Sequence, residues 1–94
     1  MVTAHASPST FTILYFASAK SFTRKDREDL PAPVDTGKLF DLLEKRYSGI
    51  KEKVLSSCLL TVNMEYVDVG TEEGDQLVIK EGDEVAVIPP VSSG

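Results

Sequence analysis

Phe11-Thr12-Ile13-Leu14-Tyr15-Phe16 is an aromatic and β-branched run of strand length. Successive strand side chains point to opposite faces, so Phe11, Ile13 and Tyr15 share one face and Leu14 and Phe16 the other. Both sets are large and apolar, which places this strand near the middle of a sheet. Working outward, residues 1–10 are small and polar and read as a frayed leader. Residues 17–27 read as a polar, mobile loop. Residues 28–33 could form a second strand. Pro31 and Pro33 have no N–H for a ladder, so that strand belongs at an edge.

From residue 35 the apolar period lengthens to that of a helix. Asp35 or Thr36 can cap a helix running to about Tyr47. Leu39, Leu42, Leu43 and Tyr47, with Phe40 beside them, make one apolar stripe, and Asp41, Glu44, Lys45 and Arg46 lie off it. Ser48-Gly49 stops the helix, with Gly49 suited to a left-handed cap, and residues 51–57 add a short helical turn. Residues 58–62 then read as a strand, 63–65 as a turn, 66–67 as a short return and 71–75 as a polar loop. Leu77-Val78-Ile79 is apolar, residues 80–83 turn the chain, and residues 84–88 form the last strand. Pro89-Pro90 ends it. The expected class is α+β: a mixed sheet with one main helix whose stripe packs on the inner faces of strands 11–16, 58–62 and 84–88. The body spans residues 11–90, and residues 91–94 form an extended tail.

The 94 residues hold 41% apolar and 27% charged side chains, the composition of one ordinary globular domain. Uninterrupted apolar runs such as Val85-Ala86-Val87-Ile88 are far short of a membrane span. A net charge of -5 argues against nucleic-acid backbone binding. The charge is uneven. Residues 1–53 carry nine bases against seven acids, and residues 54–94 carry only Lys80 against eight acids. The acidic half is either a solvated surface or a face that meets a basic partner. A single cysteine forms no internal disulfide or zinc site, which fits a reducing, cytoplasmic home.

Catalytic groupings are missing from the pattern. His5 stands in the leader away from any second ligand, so no metal is expected, and no glycine-rich phosphate loop occurs. Cys58 lies among Leu59, Leu60 and Val62 and reads as a buried structural thiol. Tyr15, Phe16, Phe40 and Tyr47 read as core. The unusual feature is the end of the chain. Pro90-Val91-Ser92-Ser93-Gly94 follows a strand that stops at a double proline, and four extended residues reach roughly 13 Å. That length carries the carboxyl of Gly94 into another protein's active site. Gly94 lacks a Cβ, so its carboxyl carbon is open to close approach, and Ser92 and Ser93 suit a narrow channel.

The segment Glu81-Gly82-Asp83-Glu84-Val85-Ala86-Val87-Ile88-Pro89-Pro90-Val91-Ser92 resembles the C-terminal signature of the small subunits of molybdopterin synthase. Residues 11–17 (FTILYFA) are similar to that family's first strand, and residues 62–67 (VNMEYV) to its middle hairpin. The resemblance implies a β-grasp, ubiquitin-like fold and a sulfur carrier. It implies a ubiquitin-activating-like enzyme that uses ATP to adenylate Gly94, no cofactor held permanently, and a persulfide that leaves a thiocarboxylate. It further implies insertion of the tail (Pro90, Val91, Ser92, Ser93) into a large synthase subunit, in a heterotetramer, with sulfur passing to cyclic pyranopterin monophosphate. The expected partner surface lies around Glu81, Asp83 and Glu84, with Val85 and Val87 or their alternates. The family ends in two glycines, and Ser93 stands where the first of them is expected. Related carriers serve tRNA thiolation or thiamine synthesis. A ubiquitin-like interaction domain that never activates its terminus is a third reading.

Overall fold

A computed structural model describes residues 9–90. Seven strands and four helices follow in order: β1 Thr10–Tyr15, α1 Ala17–Thr23, β2 Arg27–Pro31, β3 Val34–Asp35, α2 Thr36–Arg46, α3 Ile50–Lys53, β4 Leu59–Val62, β5 Glu65–Val67, α4 Glu72–Asp75, β6 Val78–Ile79 and β7 Glu84–Ile88. A five-stranded sheet has the order β2-β1-β7-β4-β5, and β3 pairs with β6 in a small second sheet. β1 and β7 run parallel, and every other pair in the large sheet is antiparallel. The chain's last strand is therefore the sheet's central one, held between β1 and β4. This is the expected α+β, β-grasp arrangement.

The core lies between the inner sheet face and the helices. Phe11, Ile13 and Tyr15 of β1, Leu30 of β2, Leu60 and Val62 of β4, and Val85 and Val87 of β7 are all buried. Leu39 and Leu43 of α2 cover them, joined by Ile50, Val54 and Leu55. Leu42, Phe40 and Tyr47 are half-buried at the margin, so the stripe is narrower than its sequence suggests. β2 is an edge strand paired only to β1, as Pro31 at its end favours.

Three local expectations change. Residues 17–23 form helix α1 rather than a loop. Only Ala19 and Thr23 of α1 are buried, and Thr23 spends its hydroxyl on the Ala19 carbonyl at 2.9 Å. Asp35 occupies the N-cap of α2 with extended backbone but makes no side-chain capping bond. Thr36 is fully buried, and its hydroxyl donates instead to the carbonyls of Gly74 and Leu77. That bond joins α2 to the residues 71–77 loop, part of which forms α4. Gly74 also lets this loop fold against residue 68, because a Cβ there would stand 1.9 Å from the Asp68 carbonyl oxygen.

Glu28 ties the far end of α2 to the sheet. Its side chain is 8% exposed. It accepts the hydroxyl of Tyr15 at 2.5 Å and that of Tyr47 at 2.6 Å, and it pairs with Lys25 and Arg46 at 3.3 Å each. Burial pushes the Glu28 carboxyl upward, but the bonds from Tyr15, Tyr47 and Lys25 outweigh it and hold it below the ordinary glutamate range.

Candidate functional site

The outer face of the large sheet is built from residues that alternate with the core. On β7, Val85 and Val87 point inward, so Glu84, Ala86 and Ile88 point outward. Register extends the pattern across the neighbours. Leu14 pairs with Ala86, Ala86 with Thr61, and Thr61 with Tyr66, which makes one cross-strand row on the outer face. Ile88 pairs with Leu59 one step nearer the end of β7, beside Phe16, whose N–H donates to the Val87 carbonyl at 3.3 Å. Thr12 pairs with Glu84 at the other end.

That face is largely apolar and, among the described residues, uncovered. Phe16 is 45% exposed, Leu59 48%, Tyr66 72% and Met64 91%. Exposed apolar residues clustered on one surface mark a binding face rather than scattered surface carbon. Phe16 is therefore surface, against the sequence expectation that it belongs to the core. Tyr15, its neighbour, is buried as expected.

The expected partner residues separate into groups. Val85 and Val87 are fully buried against α2 and carry no contact surface. The register of β7 places their alternates, Ala86 and Ile88, outside instead. Glu81 is exposed and accepts the Ser9 hydroxyl at 3.3 Å. Asp83 is committed to the fold: it accepts the Lys80 N–H at 2.8 Å and the Asn63 amide at 3.1 Å. Those two bonds hold its carboxyl below the ordinary aspartate range. Gly82, with φ of +84°, makes this turn possible. Glu84 is exposed on the outer face. These acids stand at the start of β7, while Pro89 and Pro90 follow its other end. The acids and Pro90 therefore lie at opposite ends of β7.

At that other end Pro89 is buried and Pro90 exposed, so the chain reaches the surface at the margin of the apolar face, beside Phe16 and Ile88. Val91, Ser92, Ser93 and Gly94 lie outside the described residues, as does His5. Sequence reasoning missed Leu59, Met64 and Tyr66 as surface, and reached Ala86 and Ile88 only as alternates to Val85 and Val87. The signal was present in β1, whose second apolar set (Leu14, Phe16) reads as evidence for a central strand. It is equally the signature of an outer face that awaits a partner.

Nothing in the body looks catalytic. Among the described residues, no group of three or more His, Cys, Asp or Glu side chains is placed to hold a metal. No described helix is long and apolar enough to cross a membrane. Cys58 is half-buried, donates its thiol to the Val54 carbonyl at 2.9 Å, and is pushed by burial up to about 11. It is a protonated thiol at neutral pH and a poor nucleophile.

Comparison with known proteins agrees with this geometry. Residues 13–94 match the ThiS family. The molybdopterin synthase sulfur carrier subunit of Pyrenophora tritici-repentis is 58% identical over 94 residues, covering 100% of both chains. A solved Pyrococcus furiosus protein, assigned as molybdopterin converting factor subunit 1, superposes with a TM-score of 0.73 at 26% identity, covering 88% of this chain and 99% of that one. Subunits 1 and 2 of the Helicobacter pylori molybdopterin-converting factor have been solved as a complex; the match there has a TM-score of 0.61 at 20% identity, covering 90% of this chain and 99% of the matched one, and shows the shared fold. A full-length match at this identity, on a β-grasp body with no catalytic cluster among its described residues, means that the chain belongs to the ThiS family, among the molybdopterin synthase sulfur carrier subunits.

Proposed function

We propose that this chain carries sulfur on the carboxyl of Gly94 and delivers it inside a large synthase subunit docked on the outer sheet face. The observation that carries the reading is the position of Pro90: an exposed exit from the central strand, at the rim of an apolar face that the described residues leave open.

The chemistry follows from the terminal group. A carboxylate at pH 7 is ionised and resists attack. In a ubiquitin-activating-like enzyme, a Gly94 carboxylate oxygen attacks the α-phosphorus of ATP and pyrophosphate leaves. The terminal sulfur of a persulfide then attacks the activated carbonyl carbon and AMP departs. A second thiol breaks the sulfur–sulfur bond, forming a disulfide and releasing the Gly94 thiocarboxylate. That anion is nucleophilic at neutral pH, as thiolates are. It attacks a side-chain carbon of cyclic pyranopterin monophosphate and displaces an oxygen substituent there, and hydrolysis of the resulting thioester leaves the sulfur on that carbon and returns the Gly94 carboxylate. None of these steps asks for an acid or base on this chain, which accounts for a body without catalytic groups. The partners supply them, together with the positive charge that holds the anionic tail. The relatives' name as synthase subunits supports a large-subunit partner; the reading places the two in a heterotetramer in the cytoplasm.

Deletion of Ser93 and Gly94 tests the reading. Molybdopterin formation by the reconstituted synthase should vanish while the melting temperature stays unchanged. Retained function would favour an interaction domain that works through its surface alone. If the full chain instead binds tRNA-thiolation enzymes and ignores the large subunit, the carrier chemistry stands and the destination is wrong.

A further inference from the structure

Met64 sits at the tip of the β4–β5 hairpin with an unfavourable backbone. Its φ is +72° and that of Asn63 is +51°. Two consecutive left-handed residues are what a two-residue hairpin turn between right-twisted strands requires. Asparagine tolerates that region, and glycine is the favoured second residue, because a side chain there meets the following carbonyl. Methionine has no local reason to occupy it. Its side chain is 91% exposed, so it adds nothing to the core either. Backbone strain combined with an exposed apolar side chain points to use by something outside the chain.

The turn is held from outside itself. The Asn63 N–H donates to the Glu84 carbonyl at 2.7 Å, and its side-chain oxygen accepts the Glu84 N–H at 3.0 Å. Its side-chain amide donates to Asp83 at 3.1 Å. This clamp fixes Met64 beside the start of β7, where it lines one groove with Glu84, Ala86, Ile88 and Phe16. The groove is thus continuous from the hairpin tip to the exit of the tail.

We propose that Met64 is an anchor for the large synthase subunit, gripping it at the end of the sheet farthest from the tail. The inference rests on the function proposed above. β7 spans roughly 13 Å between Glu84 and Ile88 at about 3.3 Å per residue. A partner that takes the tail at one end and Met64 at the other covers the whole outer face, and two fixed points set the direction in which the tail enters. The unbranched thioether adapts to an apolar pocket, and Glu84 beside it calls for a basic rim around that pocket. The large subunit, rather than the activating enzyme, is the occupant because a lasting subunit contact uses the more extensive apolar area.

The test uses the full chain with Met64→Gly, Met64→Asn and Met64→Leu. Glycine and asparagine suit positive φ, so both variants should melt at or above the parent temperature, yet bind the large subunit at least about ten-fold more weakly. Leucine keeps the apolar anchor and should bind within about three-fold of the parent. Thiocarboxylation by the activating enzyme should stay within about two-fold for all three, since the tail is untouched. Three results would overturn the proposal: Met64→Gly binding as tightly as the parent, a clear fall in its melting temperature, or a loss toward the activating enzyme matching that toward the large subunit. A parent chain that fails to bind the large subunit would overturn the proposed function too, which separates the two failures.

Discussion

The two faces of the central strand are made from adjacent residues and do opposite work. Val85 and Val87 are fully buried, while their neighbours Glu84, Ala86 and Ile88 face outward. β1 repeats the division, with Phe11, Ile13 and Tyr15 inside and Leu14 and Phe16 outside. Both faces carry large apolar side chains, yet only one has a covering layer among the described residues. An apolar inner face explains the fold. An apolar outer face costs solubility and fits the large-subunit contact proposed above.

The contrast can be broken most forcefully from inside. Leu39→Ala removes a fully buried side chain of α2 and should cost roughly 3 kcal/mol, the usual range for leucine truncation in a core. The melting temperature should fall by roughly 10 °C or more in a domain of this size. The fraction still folded should bind the large subunit with unchanged affinity, read by calorimetry at low temperature.

Phe16→Ser attacks the outer face and should do the reverse. Phe16 is the N-cap of α1, where no side chain makes a capping bond, and serine is a preferred cap. Melting should move little. Affinity for the large subunit should drop about 30-fold, as for an aromatic anchor worth roughly 2 kcal/mol. A variant that unfolds, or one that binds normally, would contradict the division of labour.

A smaller effect comes from Glu28, which ties β1, β2 and α2 together on the inner side. Its folded pKa lies below the ordinary value. Its stabilisation is therefore full above the unfolded pKa of about 4.3 and is lost as pH falls through the folded pKa. Denaturant midpoints measured from pH 7 down to pH 3 should decline. Glu28→Gln should lower stability at pH 7 by about 1–2 kcal/mol and flatten that decline. Binding to the large subunit at pH 7 should not change.

Much of this was legible in the residues. The period of residues 36–47 gives α2, Pro31 gives β2 its edge position, and the double proline gives the end of β7. The chain's most telling segment, residues 81–92, also indicates the family. What stayed hidden has physical reasons. α1 has no apolar stripe, because a seven-residue helix resting on Ala19 and Thr23 needs none. The faces of β7 could not be told apart, because valine, alanine and isoleucine are all apolar and a slip of one residue exchanges them. Tertiary pairing with β1 and β4, not local preference, decides that Ile88 faces out. Met64 was hidden for the same reason, since a hairpin tip reveals its strain only through backbone angles.

The account stands or falls on the reactivity of Gly94. The full chain should be incubated with its activating enzyme, ATP and a persulfide donor, and its intact mass measured. Exchange of one oxygen for sulfur, mapped to the C-terminal peptide and absent when ATP is left out, is the expected result. An unchanged mass, from a chain that is folded and bound to that enzyme, would contradict it.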